Sequence, residues 1–61
     1  MKEITRTFVK ESINSYVEIA TKFHKTYEGV LIDFVDDHLF LDSDVGIGYT
    51  DIKTIKTIAI H

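Results

Sequence analysis

Tyr27-Glu28-Gly29-Val30-Leu31-Ile32-Asp33-Phe34-Val35, then Asp36-Asp37, then His38-Leu39-Phe40-Leu41, is the stretch on which the fold turns. Its first nine residues are rich in β-branched and aromatic side chains, which suit a pleated, half-buried surface. Asp36-Asp37 interrupts the run with two residues that tolerate turn conformations and bond their own backbone. After the break, Leu39 and Leu41 stand two apart and so share a face. Working towards the C-terminus, Asp42-Ser43-Asp44 reads as a second turn. Val45, Ile47 and Tyr49 then alternate with Gly46, Gly48 and Thr50, a period of two that marks a strand. The two glycines leave one face of that strand bare, so that something else can approach closely. Thr50-Asp51 is a short break before a last strand over 54–60, with Ile58 and Ile60 on one face and Ile55, Thr57 and Ala59 on the other. Short strands between tight turns point to a meander or small barrel.

Towards the N-terminus two periods compete. Val9, Ile13, Tyr16, Ala20 and Phe23 lie at helical spacing. Ile13, Val17, Ile19, Thr21 and Phe23 also alternate as in a strand, and periodicity alone does not choose. Composition favours a strand over 14–24, because 15–23 holds Tyr, Val, Ile, Thr and Phe. Residues 3–10 form a short helix or an extra edge strand. The expectation is a mostly β chain: a small five-stranded barrel over 13–61 preceded by an N-terminal element over 1–12. The alternative is an α+β chain with an N-terminal helix on a four-stranded sheet.

The 61 residues, 44% of them hydrophobic, allow one small domain. A chain of this size buries only about 60% of the surface its unfolded form exposes, so its stability margin is thin. There is no cysteine, hence no disulfide and no thiolate for zinc. No apolar run reaches the roughly 20 residues of a membrane helix, and Met1-Lys2-Glu3 does not open a leader pattern. A cytoplasmic setting, in a cell or an infected host, and no membrane partner are expected.

The net charge of −3 argues against a binder of long nucleic acid, which needs a basic track. The distribution says more. Glu28, Asp33, Asp36, Asp37, Asp42 and Asp44 fall in one span without lysine or arginine, flanked by Lys22 and Lys25 before it and Lys53 and Lys56 after it.

The run from Gly29-Val30-Leu31 through Phe34, the Asp36-Asp37 turn and Leu39-Phe40-Leu41, with Ile47-Gly48-Tyr49-Thr50-Asp51-Ile52 after it, resembles the Sm-like family of small SH3-like barrels. The resemblance spans about 14–60. It implies a five-stranded barrel that assembles with itself and binds short RNA. The family's base-contacting asparagine is replaced by Leu39 or Phe40, and its Arg-Gly or Lys-His by Gly48-Tyr49-Thr50. The family's RNA pocket therefore does not carry over to these positions.

The remaining chemistry is sparse. Asp42 and Asp44 share a strand parity, as a cation site requires, but turn chemistry and solvated charge explain them without a metal. His24, His38 and His61 lack metal-ligand spacing, and nothing orients Ser43 as a nucleophile for His38. No enzyme activity, cofactor or metal is expected. Phe8, Phe23, Phe34 and Phe40 are assigned to the core or a subunit interface. Isoleucine on both faces of the last strand, in a domain too small for a large core, predicts a homo-oligomer joined through strand edges.

The leading expectation is a non-enzymatic homo-oligomer holding a nucleotide-type ligand, a small signalling nucleotide or short RNA, in grooves between subunits. Lys22, Lys25, Lys53 and Lys56 would meet phosphates, and Tyr49 or Tyr16 would stack a base. The alternative is a phage-type inhibitor. It would sequester an immune nucleotide signal, or use the acidic surface of Asp36, Asp37, Asp42 and Asp44 against a basic protein. An SH3-like adaptor is weakened by the absence of tryptophan.

Overall fold

Asp36 and Asp37 both adopt left-handed backbone, with φ of +52° and +63°. Two consecutive positive φ values make the primed two-residue turn whose twist matches the strands it joins. In this computed structural model, which describes residues 5–61, the turn links β2 (Thr26–Val35) to β3 (His38–Ser43). β1 (Tyr16–Thr21) precedes them, and β4 (Gly46–Asp51), a 3₁₀ turn (Ile52–Thr54) and β5 (Ile55–Ile60) follow. The strands form one antiparallel sheet in the order β4-β3-β2-β1-β5.

Ten-residue β2 is the hinge of the sheet. Its first half pairs with β1, from Tyr16 opposite Val30 to Ala20 opposite Thr26. Its second half pairs with β3, and the register shifts between Leu31 and Asp33. That extra residue, Ile32, changes which parity faces inward, from Tyr27, Gly29 and Leu31 to Phe34. A bulge of this kind bends a strand and increases its twist. Gly29 makes the bend possible: its φ is +155°, and a Cβ there would lie 2.6 Å from the Asp42 carbonyl oxygen. The sheet thus curls into a small barrel of nearly equal extents, 28 × 25 × 24 Å. The 3₁₀ turn bridges its two edges, β4 and β5.

The core is Val9, Val17, Ile19, Leu31, Leu39, Leu41 and Ile55, with Ile13, Tyr27, Phe34, Ile52 and Ile58 packed around it. Burying a side chain of this kind contributes about 1.5–3 kcal/mol. The buried hydroxyls are paired: Ser12 Oγ donates to the Phe8 carbonyl at 2.8 Å, and Thr50 and Thr54 share a 3.3 Å hydrogen bond. Among the described residues no buried side-chain nitrogen or oxygen lacks a partner.

The fold is mostly β with five strands, as expected, and the four-stranded alternative is excluded. The two N-terminal periods divide the segment. Helix α1 covers only Arg6–Glu11, capped by Thr5 Oγ1 accepting from the Phe8 amide at 3.1 Å. It buries Val9 against the core. The strand period wins from Tyr16, because Val17, Ile19 and Thr21 are all buried. The extra N-terminal strand is not formed over 5–10, and the part of that element in 1–4 lies outside the described residues.

One expectation about β5 needs correction, and on β4 the structure decides which face is outside. A register shift between Ala20 and Thr21 brings Ile55 opposite Thr21, while Ile58 stays opposite Ile19 and Ile60 opposite Val17. The three isoleucines therefore share one face of β5, on which Ile55 is buried, Ile58 half-buried and Ile60 46% exposed, and β5 does not carry isoleucine on both faces. Tyr49 is also not packed inside. β4 presents Gly48 and Thr50 inward, opposite Leu41 and Leu39, and turns Ile47 and Tyr49 outward. The most exposed apolar strand residues are Ile47 and Tyr49 on β4, ahead of Val35 on β2 and Ile60 on β5.

Candidate ligand-binding site

The fold brings the four lysines to one end of the barrel. The β1–β2 turn carries Lys22 and Lys25. Its Lys22 amide donates to the Thr54 carbonyl at 2.8 Å, and Thr54 lies in the chain between Lys53 and Lys56. All four side chains are exposed, and none forms an ion pair among the described residues. The Lys53 charge adds to the hydrogen bonds from Arg6 in holding the Asp37 carboxyl down.

The turn that presents Lys22 and Lys25 is tightly built. Thr21 Oγ1 is buried and accepts from the Phe23 and Lys25 amides, each at 3.2 Å. The Thr21 amide donates to the Lys25 carbonyl at 2.8 Å, and His24 takes a left-handed φ of +64°. Phe23 lies in the middle of this frame, and 70% of it is exposed. It belongs neither to the core nor to any packed cluster. Of the two places expected for it, the core or a subunit interface, the core is excluded. The contrary signal was present in Lys22-Phe23-His24-Lys25, where polar and cationic neighbours surround one aromatic.

Tyr49 is placed by a different element, β4. It lies on the outer face of β4, with His38 at a ring-centroid distance of 5.7 Å and Phe40 at 6.0 Å. It is 67% exposed, as is Ile47, and Val45 at the turn is 97% exposed. Val30, Ile32 and Val35 are also exposed. The inner side of the same strand is empty: nothing approaches within 4 Å of where a Cβ would stand on Gly46 or Gly48.

A groove of about 740 Å³ runs beside this hairpin, between Tyr16, Tyr27, Glu28 and Val30 on one side and Asp42, Asp44, Ile47 and Gly48 on the other. Its charged lining is acidic, and no lysine or arginine contributes to it. Glu28 also stands directly opposite Glu18 across the β1–β2 ladder, an arrangement that costs stability. His61 Nε2 lies 3.2 Å from Glu18 Oε1 and its ring meets Tyr16 edge-on at 5.8 Å. Partial desolvation holds the Tyr16 hydroxyl above the ordinary phenol range, with Glu28, Asp44 and Glu18 adding to the effect. Among the described residues no group of three or more histidines or carboxylates is arranged to hold a metal ion.

The four aspartates of the acidic segment do not form one surface. Asp42 and Asp44 lie at the groove, whereas Asp36 and Asp37 occupy the turn at the opposite end of β3. Asp37 is also engaged: Arg6 Nε donates to Oδ1 at 2.7 Å and Nη2 to Oδ2 at 2.8 Å, a bidentate pair that ties α1 to the β2–β3 turn. The hydrogen bonds from Arg6 hold the Asp37 carboxyl below its usual value.

No helix among the described residues is long and apolar enough to cross a membrane. No protein-family model matches the chain, and no curated protein or solved structure shows detectable similarity to it.

Proposed function

We propose that the protein is a non-enzymatic homo-oligomeric binding module for a nucleotide-type ligand, a small signalling nucleotide or short RNA, of the kind its Sm-like resemblance implies. The carrying observation is that two lysine pairs, about 30 residues apart in sequence, meet at one end of the barrel. Four exposed cations on a rigid frame supply phosphate contacts in a protein whose net charge is negative. The overall charge suits a short ligand, because a few local lysines suffice where a long strand needs a track. The exposed outer face of β4 and its unpaired edge support self-association.

Replacing Lys53 and Lys56 together by alanine tests the reading. Both are exposed, so the variant stays folded, and its affinity for a labelled short oligouridylate falls at least about tenfold, or about 1.4 kcal/mol. Unchanged affinity in this variant would contradict the reading.

A second reading rests on the acidic groove. Glu28, Asp42 and Asp44 beside exposed Ile47 suit a basic protein partner, as in the inhibitor alternative. A variant with Asp42→Asn and Asp44→Asn that loses a protein partner, while the lysine variant keeps it, would favour this second reading. Asp36 and Asp37 take no part in that surface.

A further inference from the structure

We propose that Phe23 is the base-stacking residue of the lysine end, so that the ligand presents an unpaired base with phosphates on either side of it. The inference rests on the nucleotide reading above and replaces Tyr49 in the stacking role. Tyr49 already engages His38 and Phe40 with its ring. Phe23 lies between Lys22 and Lys25 in the chain, in the turn bonded to Thr54 beside Lys53 and Lys56.

Its exposure is built into the backbone. The two amides bonded to buried Thr21 Oγ1, the Thr21–Lys25 backbone bond and the Lys22–Thr54 bond fix the turn at both ends. An aromatic held out by a fixed backbone loses little freedom when a base stacks on it, so more of the contact appears as affinity. A lone exposed phenylalanine needs no explanation by itself. One flanked by Lys22 and Lys25, in a turn bonded to the segment that carries Lys53 and Lys56, has the composition of a single-strand site, in which the π face takes the base and the lysines take the backbone. The Asp37 carboxylate is held by two hydrogen bonds from Arg6.

The test uses fluorescence anisotropy with a labelled oligouridylate of about 15 nucleotides. Phe23→Leu keeps apolar bulk and removes the π face. It is expected to weaken binding by about fivefold or more while leaving the salt dependence unchanged, and Phe23→Trp is expected to restore affinity. Lys22→Ala with Lys25→Ala weakens binding and also reduces the salt dependence, because phosphate contacts and not stacking release counterions. Melting curves of the Phe23 variants stay at the wild-type position, since the side chain is outside the core. Competition by a uridylyl dinucleotide would identify a small nucleotide as sufficient; competition only by longer strands would identify RNA.

If Phe23→Leu binds as tightly as wild type while the lysine variant is weakened, stacking by Phe23 is wrong and the phosphate site stands. If the lysine variant also binds unchanged, or the wild type does not bind, the nucleotide reading itself fails. Binding of the wild type to phosphatidylserine-containing vesicles, lost in the Lys22→Ala, Lys25→Ala variant, with no binding of oligouridylate by the wild type, would overturn the proposal and make the turn a membrane contact.

Discussion

The β1–β2 turn and the β3–β4 hairpin both hold apolar side chains in solvent, but they are built in opposite ways. The first is stitched to the body of the barrel by Thr21 and Thr54, and its charges are positive. The second projects with exposed Val45 and Ile47, an open space over Gly46 and Gly48, and carboxylates beside it. A fixed turn is suited to present one aromatic to a small ligand. An edge strand with a bare side and an apolar side is suited to another polypeptide. On the proposed reading, the difference divides the surface into a ligand end and an assembly edge.

The largest expected effect breaks the comparison by removing the bend that separates the two regions. Gly29→Ala places a methyl against the Asp42 carbonyl at a positive φ, and it should cost about 3 kcal/mol in chemical denaturation. Gly48→Ala provides the contrast. It meets no atom of its own chain, so monomer stability should hold or rise by about 0.5 kcal/mol.

Next comes the assembly edge. Ile47→Asp with Tyr49→Ser removes apolar area that the fold leaves outside, so the melting transition should move little while sedimentation velocity shows dissociation. A monomeric wild type at micromolar concentration would remove the assembly role of this hairpin and leave the lysine end intact.

The architecture was legible wherever one strand face reads cleanly, as in Leu39 with Leu41 and in the Asp36-Asp37 break. It was not legible where an extra residue changes parity. The bulge at Ala20–Thr21 turned Ile55 inward, and the one near Ile32 let both Leu31 and Phe34 face the core. On β4, alternation locates the strand but not which face is buried, and here the glycines face in. The lysine end was half legible. Charge runs marked the four cations, but only the Lys22–Thr54 bond unites them and only the closed turn turns Phe23 out.

A smaller effect probes the end of β3 remote from the acidic groove. The Arg6 pair holds the Asp37 carboxyl below its ordinary value, so the folded chain binds fewer protons there than the unfolded chain. The resulting stabilisation is present above the unfolded aspartate pKa of about 4 and fades as pH falls through the lower folded value. The difference in melting temperature between wild type and Arg6→Gln should therefore shrink on acidification below about pH 4. A gap that stays constant would exclude the pair as its source.

The smallest effect is expected at Asp36, whose left-handed φ of +52° favours glycine. Asp36→Gly should stabilise the fold by about 0.5 kcal/mol in denaturant titration without altering ligand affinity. A loss of affinity would draw this turn into the binding surface.

The salt dependence of oligouridylate binding by the wild-type protein tests the central claim most directly. Three to four lysines on phosphates predict a slope of log affinity against log salt of about −2 to −3, from roughly −0.7 per contact on a single strand. A slope near zero, or no binding at low salt, would contradict a phosphate site at the lysine end.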